Sequence, residues 1–374
     1  MISNMTSTNE AFRPRVALQA LAPYSTGRDV AAVRRETGYT GPLVKLASNE
    51  GAEGPFPVAL EAMSRTHIDM QRYPESGART LRHALASHHG VPPEEVLVTA
   101  GGCGALQHLT SALLEVGDEV AYCSPTFHLY RLETLRAGAR PVTASLDAAG
   151  SYDLDALARA VTARTKLIYV CTPNNPTGGL VDRSALQAFL ESLPEHVLPI
   201  VDEAYFEYVD SPQYPDPVRV TKVTSRPHVI IRTFSKIFGI AGLRVGYAIA
   251  PPDIVAACQK VQNPYEVNRV AQAVALASLN DPEELSRRIL TNRRNRALLL
   301  AGLEKLGMSP LPSQANFVCL KVGQASSVAR ALEQHGVIVR PLDAMGDTTS
   351  IRVTVGTEAE VAIFLSAFER VIRP

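Results

Sequence analysis

Several features are scarce in this sequence of 374 residues, and each absence narrows the class of protein. Its five cysteines are scattered and include no C-x-x-C pair, so the pattern predicts neither a disulfide framework nor a zinc site and favours a reducing compartment. No apolar stretch reaches the length of a membrane span, and the N-terminal residues show no signal-peptide pattern, which predicts a cytoplasmic protein. Net charge is absent too, with 37 acidic and 37 basic residues, so no nucleic-acid or membrane partner is expected.

What is present is an alternation of short apolar runs with helix-like segments from about residue 95 onwards. The strand candidates are "EVLVTA", "EVAYCS", "KLIYVCT", "HVLPIVD", "HVIIRTF" and "VGYAIA". Helical periodicity marks "ALQHLTSALLEV" and "RSALQAFLESL", with Asp182 as an N-cap candidate. The pattern predicts an α/β fold whose large domain has a mostly parallel sheet sandwiched by helices.

The chain divides into three predicted parts. Residues 1–45 form an N-terminal arm, residues 46–280 the large domain, and residues 281–374 a smaller α+β domain. A long helix is expected to begin at Asp281-Pro282, because a cap, a first-turn proline and an acidic first turn follow one another there. The clustered arginines of "RRILTNRRNR" in this helix are interpreted as its solvated face.

Polar residues follow several of the predicted strands. Asp202 and Tyr205 come at the end of "HVLPIVDEAYFEY", and Lys236 follows the later strand "HVIIRTF". "TPNNPTGG" is a tight turn after another strand, and "TAGGCG" is a glycine-rich turn that opens a helix. In an open parallel sheet ligands bind beyond the carboxyl ends of the strands, so we expect these groups to meet at one edge.

The chemistry of these groups suits one cofactor. A lysine amine forms a Schiff base with a carbonyl, and a carboxylate keeps a pyridine nitrogen protonated. Hydroxyls, a guanidinium and a helix N-terminus bind phosphate. Lys236, the strand-end Asp202, and the group formed by Ser235 and Arg244 therefore predict a site for pyridoxal 5'-phosphate, with no metal.

An ordered series of motifs resembles the histidinol-phosphate aminotransferase family, within the fold type I pyridoxal-phosphate aminotransferases. The motifs are "LAPYSTG", "KLASNE", "YPE", "TPNNPTG", "VDEAY", "FSKIFGIAGLRVGY", "NRVAQAV", "QANFV", "VIVRP" and "IRVTVG", and they span nearly the whole chain. The resemblance implies a transaminase that moves an amino group from an amine donor to a keto acid such as 2-oxoglutarate. The donor would be histidinol phosphate or a related aromatic or imidazole amine.

The resemblance also implies roles for individual residues. Lys236, Asp202 and Tyr205 would be catalytic, Lys236 as the Schiff-base lysine and acid/base and Asp202 as the partner of the pyridine nitrogen. The implied cofactor-binding residues are Gly102, Cys103, Phe127, Asn175, Asp202, Tyr205, Ser235, Lys236, Arg244 and Tyr73. Those implied to line the substrate pocket are Tyr24, Asn49, Asn316, Arg340 and Arg352. Tyr73 resembles a tyrosine that reaches a neighbouring subunit's cofactor, so a homodimer is implied.

The chain departs from this family at two places. "GAEGP" follows "SNE" where the family has an Asn-Pro step, and "GGCG" replaces a Ser-Asp-Glu run in the phosphate loop. The first departure borders the substrate site and leaves the donor open. The second removes side-chain contacts to the phosphate while leaving backbone contacts possible.

Alternative interpretations stay open at the level of single residues. Lys236 could be a loop lysine whose stem covers apolar surface, and Asp202 could cap a helix. Arg340 and Arg352 could make structural salt bridges on a strand's polar face. Phe127 could be plain core, and Cys103 a small residue that fits its turn.

Other activities also remain open. The same scaffold could serve an aromatic amino-acid or specialised biosynthetic transaminase, or a pyridoxal-phosphate decarboxylase or lyase. A non-enzymatic regulator that binds the cofactor is the least favoured interpretation, because the predicted parts leave no segment for a fused DNA-binding domain.

Overall fold

The protein is built from two β-sheets and the helices that cover them. The computed structural model describes residues 15–19, 21, 27–66, 69–212, 214 and 226–373. The strands are β1 (Val44–Leu46), β2 (Val96–Thr99), β3 (Glu119–Ser124), β4 (Arg140–Ser145), β5 (Thr165–Cys171), β6 (Leu198–Asp202), β7 (Val229–Thr233), β8 (Gly246–Ile249), β9 (Phe317–Lys321), β10 (Val337–Pro341) and β11 (Ser350–Thr354). The helices are α1 (Val16–Gln19), α2 (Val30–Thr37), α3 (Pro57–Thr66), α4 (Arg79–His89), α5 (Gly101–Leu113), α6 (Leu129–Ala137), α7 (Leu154–Arg159), α8 (Arg183–Ser192), α9 (Pro252–Val261), α10 (Arg269–Leu279), α11 (Pro282–Lys305), α12 (Ala325–Gln334) and α13 (Glu358–Ile372).

The larger sheet has seven strands in the order β2-β8-β7-β6-β5-β3-β4. Strands β4, β3, β5, β6 and β7 pair in parallel, whereas β8 runs antiparallel to both β2 and β7. The predicted mostly parallel sheet is therefore confirmed, as are all six strands predicted from apolar runs.

Helices cover both faces of this sheet. Along β7, Val229 and Ile231 belong to one buried cluster with Leu109 of α5, while Ile230 belongs to a second cluster with Leu85 of α4. Successive strand residues point to opposite faces, so a strand that is apolar throughout needs cover on both. The two clusters lie on opposite faces of the sheet, each under its own helices, which confirms the predicted sandwich of helices around a sheet.

The smaller sheet has four strands in the order β1-β10-β11-β9. Leu299 and Leu303 of α11 and Phe364 and Phe368 of α13 are buried in its core. The predicted boundary between residues 45 and 46 falls inside β1, which pairs in parallel with β10. The division into residues 1–45, 46–280 and 281–374 stays a prediction.

Two helix starts follow the capping rules. Asp182 accepts hydrogen bonds from the N–H groups of Ser184 and Ala185, and Asp281 accepts one from Glu284. These bonds satisfy N–H groups that the first turn of a helix leaves unpaired. Both starts agree with the sequence interpretation.

The prediction that the arginines of α11 lie on a solvated face is confirmed for three of the five, which are exposed, and is wrong for the other two. Arg288 and Arg296 are each only 6% exposed, so they do not belong to a solvated face. Arg296 donates to the Ala315 carbonyl at 3.0 Å and to Asp210 at 3.1 Å. Charge alone did not reveal that loops from elsewhere in the chain cover this side of the helix.

No helix within the described ranges combines the length and apolar character needed to cross a bilayer.

Candidate active site

Residues that follow three neighbouring parallel strands line one cavity. Asn175 lies just after β5, Asp202 ends β6, and Lys236 follows β7, so strand order brings residues distant in sequence to one edge. The cavity has a volume of about 290 Å³. The predicted site residues that line it are Asn49, Gly102, Cys103, Phe127, Asn175, Asp202, Tyr205, Ser235, Lys236, Arg244, Arg340 and Arg352.

Asp202 lies in the cavity wall and is 5% exposed. Its Oδ2 accepts a hydrogen bond from the Tyr130 hydroxyl at 2.7 Å, and its Oδ1 accepts one from the Ala204 N–H at 3.1 Å. Burial raises the pKa of Asp202, while the two hydrogen bonds and the charge of Lys236 oppose that rise. A buried carboxylate in this setting is a strong acceptor for a cationic N–H donor.

Lys236 is partly buried in the same wall. Its Nζ lies 3.4 Å from the Ser48 carbonyl oxygen and 5.5 Å from the centroid of the Tyr205 ring. Desolvation, with a further contribution from the Arg352 charge, lowers the pKa of Lys236 to about 8. A neutral amine is the nucleophilic form of lysine, so this environment activates it near neutral pH.

A cradle of hydrogen-bond donors lies at one end of the cavity, around the first turn of α5. Ala100 precedes this helix and provides no side-chain cap, so the backbone N–H groups of the first turn are available to a ligand. The hydroxyl of Ser235 accepts a hydrogen bond from Thr233 at 2.9 Å and one from the Arg244 guanidinium at 3.3 Å. A Cβ on Gly101, whose φ is +75°, would lie 2.6 Å from Arg244 Nη2. Only glycine lets the guanidinium approach this helix terminus so closely.

The donor set fits pyridoxal 5'-phosphate. The helix terminus, the Ser235 hydroxyl and the Arg244 guanidinium suit a phosphate dianion. Asp202 suits a protonated pyridine nitrogen, and Lys236 suits a carbonyl carbon.

Aromatic and amide side chains form the middle of the cavity. Asn49 has a φ of 54°, and its Nδ2 donates to the Tyr205 hydroxyl at 3.0 Å. Burial raises the pKa of Tyr205, so its phenol stays protonated at neutral pH. Phe127 is partly buried and meets Tyr130 edge to face, with ring centroids 5.7 Å apart. The Asn175 Oδ1 accepts a hydrogen bond from Arg352 at 2.5 Å.

Two arginines form one wall of the cavity. Arg340 of β10 and Arg352 of β11 lie directly opposite each other in the antiparallel register and are 9% and 5% exposed. Arg352 also donates to the Ala47 carbonyl at 2.6 Å, which fixes its guanidinium. Guanidinium groups bind carboxylates and phosphates through two parallel hydrogen bonds, so this wall is suited to an anion.

Two predicted site residues within the described ranges, Asn316 and Tyr73, do not line the cavity. Asn316 lies behind the wall, 1% exposed, where its Nδ2 donates to the carbonyls of Asn49 and Glu50 at 3.2 and 3.1 Å. Tyr73 is 77% exposed and stacks on Tyr265 with centroids 4.5 Å apart. Tyr24 lies outside the described residues.

Several lining residues were not predicted. They are Gly27, Ala47, Ser48, Glu50, Leu106, Cys171, Ala204, Thr233, Ala241 and Met345. Thr233 could have been found, because it lies two residues before Ser235 at the end of a predicted strand. Tyr130, which holds Asp202, could have been found in the same way, because it lies one helical turn after the predicted site residue Phe127. Met345 lies in the turn between β10 and β11 and gives no signal in the sequence.

Comparisons with known proteins identify the family of this chain. Residues 41–368 match the model of the family described as aminotransferase class I and II, and the chain belongs to that family. It is 42% identical over 354 residues to an aromatic amino acid aminotransferase from Thermobifida fusca, covering 94% of this chain and 95% of that protein. It is 39% identical over 357 residues to a histidinol-phosphate aminotransferase from Nitrosococcus oceani, covering 95% of each.

Solved structures show the same fold over nearly the whole chain. The crystal structure of histidinol-phosphate aminotransferase from Sinorhizobium meliloti, in complex with pyridoxal 5'-phosphate, superposes with a TM-score of 0.86 at 28% identity. It covers 98% of this chain and 99% of that one. An aspartate aminotransferase variant from Thermus thermophilus gives a TM-score of 0.83 at 29% identity and covers 96% of this chain and all (100%) of that one. The protein is therefore a fold type I, pyridoxal-phosphate-dependent aminotransferase that uses an amine and a keto acid as substrates.

Proposed function

We propose that this enzyme takes the amino group from a ring-bearing amine with an anionic group and passes it to a keto acid such as 2-oxoglutarate. The donor would be histidinol phosphate or an aromatic amino acid. The observation that carries the proposal is the pair of buried guanidiniums, Arg340 and Arg352, in a cavity also lined by Phe127, Leu106 and Met345. Both donor types occur in the names of relatives that cover most of the chain, which supports the same choice.

Residues of this chain would hold the cofactor at both ends. Gly102 and Cys103 would donate backbone N–H groups, and Ser235 and Arg244 would donate side-chain hydrogen bonds, to the phosphate. Asp202, fixed by Tyr130, would accept a hydrogen bond from the protonated pyridine nitrogen and so keep that nitrogen protonated. When bound, pyridoxal phosphate supplies the electron sink for the substrate's α-carbon.

The middle of the cavity would orient the ring. Tyr205 is held by the Asn49 amide and Asn175 by the Arg352 guanidinium, and both line the cavity. Each would offer a hydrogen-bonding group to an oxygen on the cofactor ring. Phe127, held edge to face by Tyr130, would contact the ring through its own face.

Lys236 would move the proton during transfer. Its amine would hold the cofactor through the carbonyl carbon and, once freed by the substrate amine, would take the proton from the substrate's α-carbon as a base and deliver it to the cofactor's C4' carbon as an acid. A pKa of about 8 suits both roles near neutral pH. Arg340 and Arg352 would bind the anionic group of either substrate, so donor and acceptor would use one site in turn.

A half-reaction tests this function. The holoenzyme, in which Lys236 is bound to the cofactor, should absorb at roughly 410–430 nm, as expected for a lysine Schiff base. Histidinol phosphate, L-phenylalanine and L-alanine are added singly, without a keto acid. We expect the ring-bearing donors to shift the absorbance to about 330 nm while L-alanine leaves it unchanged, because only ring-bearing donors fill the apolar part of the cavity.

Each outcome identifies either the amine donor or the class of reaction. A shift with histidinol phosphate but not phenylalanine indicates the first donor, and the reverse indicates an aromatic transaminase. Release of carbon dioxide without any need for a keto acid would instead indicate a decarboxylase and contradict the proposal. The Lys236→Ala variant is the matched control, since it retains the phosphate cradle and lacks the amine.

We also propose that the enzyme acts as a homodimer and that Tyr73 completes the partner's site. Tyr73 stands 77% exposed, stacked on a second exposed tyrosine, Tyr265, and does not line the cavity of its own chain. An amphipathic side chain this exposed and yet held rigid by a ring partner is suited to a protein interface.

A reducing cytoplasmic compartment is our proposal for its location. Support comes from the five cysteines, all of which are free thiols in the structure.

A further inference from the structure

Two loops around Lys236 lie backbone against backbone. A Cβ on Gly51 would lie 2.5 Å from the Lys236 carbonyl oxygen. In the opposite direction, a Cβ on Gly239 would lie 2.2 Å from the Gly54 carbonyl oxygen. Residues 49–54, which include the first four residues of the divergent "GAEGP" stretch, therefore contact residues 236–239 with no side chain between them.

One buried guanidinium joins the two loops. Arg288 of α11 is 6% exposed, and its Nη1 lies 2.7 Å from the Gly54 carbonyl oxygen and 3.2 Å from that of Ile237. One carbonyl belongs to each loop, and Ile237 is the residue next to Lys236. The same nitrogen thus sets the separation of the two backbones.

The Arg288 side chain is itself held in place. Its Nε donates to Glu284 Oε1 at 2.7 Å, and its guanidinium carbon lies 4.4 Å from the centroid of the Phe56 ring. Hydrogen bonds from Arg287 and from Arg288 lower the pKa of Glu284 to about 2, so this counter-ion stays charged. A buried charge with these partners has one favourable geometry.

Further contacts link the same loops to the reacting amine. Lys236 Nζ lies 3.4 Å from the Ser48 carbonyl oxygen, directly before the 49–54 loop. Asn316 holds the Asn49 and Glu50 carbonyls of that loop from the other side. A shift of one loop relative to the other would therefore move Nζ in the cavity.

We propose that Arg288 is a positioning residue that fixes the Lys236 backbone against the 49–54 loop and so sets where the amine meets the cofactor and substrate. It touches neither of them. The proposal rests on aminotransferase chemistry and not on the choice of donor, so a wrong donor assignment would leave it standing.

The Arg288→Lys holoenzyme tests it. Lysine keeps the charge but loses the planar fork, and cannot hold Glu284 and both carbonyls in the same geometry. We expect kcat to fall by about tenfold or more, with KM changed less, because misplacement of a reacting group slows chemistry more than binding. The pH midpoint of the Schiff-base absorbance should shift as well, since the surroundings of Nζ change.

The matched control is Arg294→Lys on the same helix, whose side chain is 65% exposed and pairs with Glu358. It should behave as the wild type in kcat and in absorbance midpoint. A wild-type kcat and midpoint in Arg288→Lys would overturn the proposal. So would a loss of kcat that only matches the loss of folded protein by circular dichroism, with the midpoint unchanged.

A second variant keeps the test independent of folding at position 288. Gly51→Ala leaves Arg288 intact and pushes the Lys236 carbonyl from the other loop. We expect the same direction of change in kcat and a shifted midpoint. An unshifted midpoint in Gly51→Ala would show that the loop contact does not position the amine.

Discussion

Lys236 is the residue whose environment most directly governs chemistry. Desolvation comes first among the causes that lower its pKa to about 8, and the positive charge of Arg352 adds to it. Both effects penalise the ammonium form, while the nearby thiol of Cys103 and carboxylate of Glu50 oppose them only in part. The amine is thus neutral over a pH range in which an exposed lysine is fully charged.

The lowered pKa predicts how fast the cofactor-free enzyme takes up pyridoxal phosphate. Only the neutral amine attacks the carbonyl, so the rate should rise about tenfold per pH unit below pH 8 and level off above it. An ordinary lysine would show a rising rate up to about pH 10. Stopped-flow absorbance near the Schiff-base band measures this rate.

Arg352→Gln serves as the comparison, because it removes a neighbouring positive charge and should move the pH midpoint of the uptake rate to higher pH.

The free energy of unfolding depends on pH through the same lowered pKa of Lys236. The unfolded lysine binds its proton more tightly than the folded one, so the contribution of Lys236 to the free energy of unfolding of the cofactor-free protein, measured as the difference between the wild type and Lys236→Ala, should rise by about 1–3 kcal/mol between pH 8 and pH 10. A pH midpoint near 10 for cofactor uptake by the wild type would contradict the desolvated environment assigned to Lys236.

At this scale, sequence reasoning found residues that follow a strand and missed those held by distant partners. Asp202 and Lys236 each end an apolar run, which gives a position relative to the sheet edge. Arg288 was interpreted as solvated, because its partners Gly54 and Ile237 come from segments 234 and 51 residues away in sequence. Periodicity within a helix carries no information about such contacts.

Among the elements, β8 and the first turn of α5 lie backbone against backbone. A Cβ on Gly246, the first residue of β8, would lie 2.6 Å from both the Gly101 carbonyl carbon and the Gly102 nitrogen. These atoms are backbone and cannot rotate away. The start of β8 therefore fixes the helix terminus that we propose binds the phosphate.

Gly246→Ala should displace that terminus and weaken cofactor binding. We expect the dissociation constant for pyridoxal phosphate to rise about tenfold or more, since charge-assisted hydrogen bonds to an anion are each worth about 1.5–3 kcal/mol. Affinity for pyridoxal, which lacks the phosphate, should change little. Absorbance titration of the cofactor-free protein measures both constants.

Gly242→Ala is the control for this change, because a Cβ there meets nothing within 4 Å. Equal losses of affinity for pyridoxal and for pyridoxal phosphate in Gly246→Ala would show that the substitution does not act through contacts to the phosphate.

Two strands escaped sequence reasoning for a physical reason. Strand β4 lies at the edge of the large sheet and contains no fully buried residue, so it lacks the apolar run that marks its neighbours. Strand β1 has only three residues and is a strand because β10 pairs with it. By contrast, the starts of α8 and α11 were predictable, since Asp182 and Asp281 act within their own helices.

In the whole molecule, the direction of β8 shapes the site. Because β8 returns antiparallel to β7, the connection between them stays at the carboxyl edge of the sheet and carries Ser235, Lys236 and Arg244. The apolar runs predicted both strands but not their relative direction. Pairing direction depends on the geometry of the connection, which local patterns do not encode.

Assembly gives a prediction at the same scale. If Tyr73 serves the partner's site, a hybrid of Tyr73→Ala and Lys236→Ala subunits contains one site with both an intact lysine and an intact tyrosine. Differently tagged subunits are coexpressed and the hybrid is isolated with both tags. We expect its activity to exceed that of either parent variant by about tenfold, because the exposed tyrosine contributes a contact across the interface.

Size-exclusion chromatography of the wild type is the accompanying measurement and should give the mass of two chains. A hybrid no more active than Tyr73→Ala would show that this side chain acts within its own chain or not at all.

The contact between the glycines at positions 51 and 239 and the opposite loop has a consequence for engineering the substrate range. Since each glycine faces main chain of the other loop, mutations in these two segments should be strongly epistatic, and a library that varies one segment alone will mostly yield inactive clones. Diversity is better placed at Met345, which lines the cavity from a separate turn and can change size without moving the lysine.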